Sequence, residues 1–179
     1  MNISGWPLTL LAVLAHPDDE SFCCGGTLAL ARRGVCVQVL TATRGEAGSY
    51  GDPPLDTPEE LPAVREQEPR CTCTALGIEP PLLLNYHDGR LAEMDDEEGV
   101  TQVMAVMRKL RPRVLLTWLP DGLSDHLDHV AVSRWTALAF ERMGILGPDA
   151  PAALYHLAVP RSVAQALGLT HLHTPYASS

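Results

Sequence analysis

Apolar residues along this chain come in short continuous runs, not in alternating ones. The stretches 8–14, 35–41, 82–85, 114–118 and 153–159 are rich in Leu, Val and Ala and are bounded by glycine, proline or charge. Runs of that length predict strands buried on both faces. Between them the spacing becomes helical. Residues 20–33 carry Phe22, Leu28, Ala29 and Leu30 and stop at Gly34, which predicts one helix. A second helix is predicted to start at Pro58 or Pro62 and to run to Leu76, with Gly77 after it. Over 93–111 Val100, Val103, Met104 and Met107 share one face, while acids lead and bases trail, which suits the helix dipole. A fourth helix is predicted from a cap at Ser124 or Asp125 to about Arg142, with Leu127, Ala131, Trp135 and Leu138 on one stripe. Residues 43–51 and 52–62 read as glycine- and proline-rich connections.

Strands and helices therefore alternate, and each connection is long enough for a right-handed crossover. That predicts an α/β domain, a Rossmann-like parallel sheet of about five strands with helices on both faces. Sheets of this kind carry their sites outside the carboxyl ends of the strands, where the strand order reverses. An order of 3-2-1-4-5 makes strands one and four neighbours and puts the crevice between the loops that follow them. No GxGxxG follows strand one and no GxxxxGK[ST] occurs, so a nucleotide-binding reading has little to stand on.

Composition narrows this picture without changing it. A chain of 179 residues, 46% apolar and 20% charged, suits a single domain with one substantial core. The net charge of −9 argues against nucleic acid or an anionic membrane as partner. No run reaches the ~18 apolar residues of a membrane span. Residues 8–14 lack a basic flank and end in charge, unlike a signal peptide, so a cytoplasmic location is expected. Five cysteines with no CxxC pair are expected to be free thiols.

The candidate chemistry sits in the two facing loops. Strand one runs into His16-Pro17-Asp18-Asp19-Glu20, and strand four is followed by His126-Leu127-Asp128-His129. Adjacent aspartates repel unless a cation or shared proton settles them. His126 and His129, at i and i+3, share the face of a helix start. Either motif alone is commonly a turn, a cap or a surface feature. Brought to one crevice, two imidazoles and a carboxylate with an open position match a catalytic metal site.

His16-Pro17-Asp18-Asp19-Glu20 with Gly25-Gly26 after it, Thr43-Arg44-Gly45-Glu46, and His126-x-Asp128-His129 together resemble the LmbE/PIG-L zinc-dependent N-deacetylases. Members of that family remove acetyl groups from N-acetylglucosamine conjugates, including precursors of mycothiol, bacillithiol and GPI anchors. The resemblance implies His16, Asp19 and His129 as ligands of zinc, with ferrous iron also suited to the donor set. It implies Asp18 as the general base toward the attacking water, and His126 as the group that stabilises the oxyanion or protonates the leaving amine. Asp128 would orient His126. Arg65 and Asp88 align with sugar-contacting positions, although a structural ion pair serves Arg65 equally well.

The implied function is hydrolysis of the N-acetyl group of an N-acetylglucosamine-type conjugate by metal-activated water, the partner being that small molecule. Two alternatives stay open: a zinc amidohydrolase acting on a non-sugar N-acyl substrate, and an inactive shortened homologue that binds sugar or metal. Residues 1–179 are expected to form one deacetylase-like domain that lacks the C-terminal segment of relatives, and the choice between monomer and homo-oligomer is open.

Overall fold

A computed structural model describes residues 8–49, 57, 59–145, 147, 150–169 and 172. Five strands form one parallel sheet: β1 (Thr9–Leu14), β2 (Cys36–Thr43), β3 (Leu82–Tyr86), β4 (Val114–Trp118) and β5 (Ala153–Leu157). Their order is β3-β2-β1-β4-β5, so β1 is central and the order reverses between β1 and β4. β1 pairs with β2 from Thr9↔Cys36 to Leu14↔Thr41 and with β4 through Leu10↔Val114 to Ala12↔Leu116. The apolar runs of β1, β2 and β4 are buried because helices cover both faces, while the edge strands β3 and β5 stay partly exposed. Chain progress from β1 to β3 and from β4 to β5 goes in opposite directions across the sheet. Right-handed crossovers therefore put the intervening helices on opposite faces.

One face carries α1 (Asp19–Phe22), α2 (Gly25–Ala31) and α3 (Leu61–Leu76), which pack on one another, with α2 against β2. The other carries α4 (Asp96–Leu110) and α5 (Leu127–Ile145), packed together with α5 on β1 and β4. A short α6 (Arg161–Ala166) follows β5. The predicted face of α4 is the buried one: Val100, Val103 and Met107 are fully buried and Met104 nearly so. Gly99 lets that face approach α5, since a Cβ there would come within 2.2 Å of the Trp135 ring.

Two expectations change. The single helix over 20–33 is two, broken at Cys23-Cys24, because the chain must bury Asp19 and Glu20 in the first and Leu28 in the second. The helix expected from Glu93 starts at Asp96, and Glu93 closes a 3-10 turn over Leu91–Glu93. Asp95 caps it by accepting the Glu97 N–H at 3.1 Å. Most of the predicted connection 52–62 lies outside the described residues. All five cysteines are unpaired, as expected. Among the described residues no helix is long and apolar enough to cross a membrane.

Candidate active site

β1 delivers its carboxyl-terminal loop against β2 and β4 through side-chain bonds to its own backbone. Thr117 Oγ1 donates to Val13 O at 2.9 Å and Thr43 Oγ1 donates to Ala15 O at 3.0 Å. The next residues then diverge. Asp19 folds inward: Oδ2 accepts the N–H groups of Ala15 (3.0 Å) and His16 (2.9 Å), and the residue is 6% exposed. Burial pushes its pKa up to about 7, against the pull of His16 and those two amides.

Asp18 turns outward on a backbone with φ 104°, unusual for a residue with a Cβ. Its N–H is held by Glu20 Oε2 at 3.2 Å, and Glu20 itself is fully buried. Arg65 Nη2 reaches Asp18 Oδ2 and the Pro17 carbonyl, each at 2.8 Å, while Nη1 pairs with Glu68. The loop after β2 seals this corner. Gly45, at φ 71°, leaves no room for a Cβ, which would lie 3.0 Å from both Arg65 Nε and Pro17 Cδ.

From the other side β4 ends at Trp118, and the turn through Gly122 (φ 70°) brings α5 back over the crevice. A Cβ on Gly122 would lie 2.9 Å from His126 O and 3.0 Å from His129 Cβ. His129 Nδ1 lies 3.1 Å from Gly122 O and its ring stacks on Trp118 at 3.8 Å and 4°. A carbonyl accepts only, so Nδ1 carries the proton and Nε2 keeps its lone pair. Burial, helped by the charge of His16, holds this imidazole down to about 4, hence neutral.

His16 lies between the two halves, its side chain 12% exposed. Nε2 is 3.2 Å from Asp128 Oδ2 and 3.1 Å from Asp88 Oδ1. Nδ1 is 3.2 Å from His129 Nε2 and 3.8 Å from Asp19 Oδ2, and His129 Nε2 is 3.7 Å from Asp19 Oδ1. Burial opposes a charge on His16, but the bonds to Asp128 and Asp88 and the charge of Asp19 outweigh it and push the pKa up to about 10. That value belongs to the metal-free ring, in which a second proton lies between the two histidines. A cation would replace it.

The donor set fits a metal. Zn–N bonds of about 2.0–2.1 Å in tetrahedral geometry separate ligand atoms by about 3.3–3.4 Å. His16 Nδ1 and His129 Nε2, 3.2 Å apart, match that spacing, and Asp19 approaches each through a different oxygen, Oδ2 at 3.8 Å from His16 Nδ1 and Oδ1 at 3.7 Å from His129 Nε2. His16 Nε2 backed by carboxylates is the usual support of a ligating histidine. With one atom from each residue, the groupings among the described residues whose ligand atoms all lie within 4.8 Å of one another are His16–His126–His129 and His16–Asp88–Asp128. In the second the carboxylates already accept backbone N–H groups: Asp128 those of Gly89 (2.7 Å) and Leu91 (3.0 Å), Asp88 that of Ala47 (3.0 Å). These two acids face Nε2 of His16, the ring nitrogen away from His129, and so stand behind the histidine pair.

The predicted residues thus converge, with different neighbours for three of them. The Asp128 carboxylate meets His16, and what reaches His126 is the Asp128 backbone N–H, 3.3 Å from His126 Nδ1. Accepting there, His126 presents Nε2–H, and burial, aided by the charge on His16, lowers its pKa. Its ring centroid is 4.8 Å from that of His16 and 4.6 Å from that of His129. Arg65 and Asp88, expected at a sugar, are engaged with Asp18 and His16. Glu46 was not singled out from the sequence. Its Oε1 accepts the Asp88 N–H at 3.1 Å and so fixes the acid that faces His16. Its membership in the Thr43-Arg44-Gly45-Glu46 motif was the available signal.

Comparison with known proteins identifies the family. The family model for PIG-L, GlcNAc-PI de-N-acetylase, matches residues 11–140. A 1D-myo-inositol 2-acetamido-2-deoxy-alpha-D-glucopyranoside deacetylase from Mycobacterium sp. (strain KMS) is 35% identical over 154 residues, 74% of this chain and 50% of that protein. Among solved structures, the conserved protein TT1542 from Thermus thermophilus is 34% identical with a TM-score of 0.65, covering 86% of this chain and 69% of its own. The N,N'-diacetylchitobiose deacetylase from Pyrococcus horikoshii has the same TM-score of 0.65 at 24% identity, over 97% of this chain and 58% of its own, a likeness of fold. The chain spans about half the length of the curated relatives it matches.

Proposed function

The chain belongs to the PIG-L family of GlcNAc-PI de-N-acetylases, and on that premise we propose that it is a metal-dependent hydrolase that removes the N-acetyl group from an N-acetylglucosamine-type conjugate. The observation that carries this reading is the approach of His16 Nδ1 to His129 Nε2 at 3.2 Å with the Asp19 carboxylate against both, next in the chain to the exposed carboxylate of Asp18.

His16, Asp19 and His129 would hold the cation, zinc or ferrous iron. When bound it supplies Lewis acidity, lowering the pKa of water to about 7 and polarising an acyl oxygen. The protein's part is proton handling and orientation. Asp18, held by Arg65 and by its own unusual backbone, takes the proton from the attacking water. His126, its Nδ1 occupied by the Asp128 N–H, donates a hydrogen bond from Nε2 to the developing oxyanion, and the proton that Asp18 has taken from the water passes to the departing amine. Asp128 and Asp88 keep the proton of His16 on Nε2, which leaves Nδ1 free to ligate. Arg65 and Asp88 serve positioning first, and sugar hydroxyls at the crevice share their remaining hydrogen bonds.

The substrate class is supported by the names of the relatives, which act on 2-acetamido sugars joined to a second group. Unpaired cysteines support a reducing, cytoplasmic setting. The test is metal content together with acetate release from N-acetylglucosamine conjugates. Asp18→Ala is expected to keep the metal and to lose roughly 10²–10⁴-fold in turnover, whereas His129→Ala loses both. A metal-loaded wild type that releases no acetate from any such conjugate overturns the reading.

A further inference from the structure

Trp118 ends β4, is 1% exposed, and takes no part in the proton handling described above. Its carbonyl is anchored from two elements, accepting Ser133 Oγ of α5 at 2.8 Å and His156 Nδ1–H of β5 at 2.6 Å. The side chain makes no such bond. Nε1 is buried and completes no hydrogen bond, so the polar end of the indole is idle. A phenyl ring would fill core space without burying an unpaired donor. What the indole brings instead is a wide face. It lies parallel to the His129 ring, with centroids 3.8 Å apart and planes 4° from one another.

The imidazole of His129 needs such a face. Its polar anchor is the bond from Nδ1 to Gly122 O at 3.1 Å, which sets the tautomer. The χ2 torsion of a histidine is broad, so one hydrogen bond leaves the ring plane free to swing about Cβ–Cγ. Any swing carries Nε2 out of line with His16 Nδ1, 3.2 Å away. The His126 ring also lies against His129, at 4.6 Å and 24°, but it belongs to an exposed residue. We infer that Trp118 is a positioning residue of the metal centre: its indole face fixes the plane of the His129 imidazole and so aims Nε2 at the cation. The inference rests on the reading of His129 as a ligand. Ligation draws electron density out of an imidazole, and an electron-rich indole face stacks better on an electron-poor ring. The stack therefore strengthens when His129 ligates.

Zinc affinity, read by competition with a chromogenic chelator, tests this without any turnover. Trp118→Leu is expected to bind zinc about four- to tenfold more weakly than wild type, and Trp118→Phe, which keeps a smaller aromatic face, about twofold more weakly. In a metal-free crystal structure of Trp118→Leu the His129 ring is expected to turn by about 30° or more about χ2, with the backbone at Gly122 and His129 in place. Trp118→Phe keeps the plane. A wild-type zinc affinity in Trp118→Leu, an affinity in Trp118→Phe as weak as that of the leucine variant, or an unturned His129 ring overturns the inference. Should circular dichroism show the leucine variant unfolded, Trp118→Phe decides alone, and wild-type affinity there overturns it. Failure of the ligand reading looks different: His129→Ala then binds zinc as tightly as wild type, and the inference falls with it. Zinc binding lost in His129→Ala but untouched in Trp118→Leu overturns the inference and leaves the ligand reading standing.

Discussion

His129 Nε2 and His16 Nδ1 face each other at 3.2 Å across 113 residues of sequence. The second nitrogen of each ring is committed, His129 Nδ1 to Gly122 O and His16 Nε2 to Asp128 and Asp88. Two lone pairs aimed at one point repel unless a proton or a cation lies between them, and Asp19 supplies the negative charge that favours the cation.

Asp128 acts on that pair from behind. Asn at position 128 keeps one carbonyl oxygen, so it accepts only one of the Gly89 and Leu91 N–H groups, turns an NH2 toward the other, and gives His16 Nε2 a neutral partner. Asp128→Asn is expected to weaken zinc binding by about 10–100-fold and, through the lost backbone bond, to lower the melting temperature in chelator. Competition with a chromogenic chelator measures the first and a thermal melt the second. Unchanged zinc affinity would contradict the role.

Glu20 holds the strained turn of Asp18. Its Oε2 accepts the Asp18 N–H at 3.2 Å, whereas Oε1, near Thr72, completes no hydrogen bond. Glu20→Gln keeps an acceptor for that N–H and Glu20→Leu does not. In a crystal structure of Glu20→Leu, φ at Asp18 is expected to leave the left-handed region. Its kcat should fall about tenfold through misplacement of the base, with metal content and KM retained and Glu20→Gln near wild type. An unchanged backbone in the leucine variant would remove Glu20 from this role.

Asp96 couples α4 to α5 away from the site. Its Oδ1 accepts from Arg134 Nη2 at 2.6 Å and from the buried Trp135 Nε1 at 2.8 Å. The Arg134 bond, then the Trp135 bond, holds the carboxyl below its usual 3.8. A depressed folded-state pKa adds stability that is present above 3.8 and lost as pH falls through the folded value. Asp96→Asn is therefore expected to be less stable than wild type at pH 6, by roughly 0.5–1 kcal/mol for this part-exposed ion pair. The difference should close progressively below pH 3.8 in urea titrations. A gap that stays constant down to pH 2 would contradict the assignment.

The fold was legible because continuous apolar runs and long crossovers leave few alternatives to a parallel sheet. Its strand order then made neighbours of the loops that carry His16 and His129. Pairwise geometry within the site was less legible. Spacing put Asp128 two residues from His126, yet α5 turns its carboxylate toward His16 and the 3-10 turn at Leu91, which only tertiary packing determines. The break at Cys23-Cys24 lies just before Gly25-Gly26, which cost helix propensity but do not by themselves place an end there; burial of Asp19 and Glu20 in the first turn and Leu28 in the second does. Gly99 seats the Trp135 ring, a close approach that the apolar spacing of α4 does not announce. Asp18 gave no sign of its positive φ, since aspartate tolerates that region only when its surroundings hold it there.

The central claim is that one cation joins both loops. An anomalous difference map collected at the zinc edge from zinc-loaded crystals tests it most directly. The account predicts a single peak bonded to His16 Nδ1, His129 Nε2 and Asp19, with Asp18 alongside and unbound. A peak between His16 Nε2, Asp88 and Asp128, or no peak in the crevice, would contradict it.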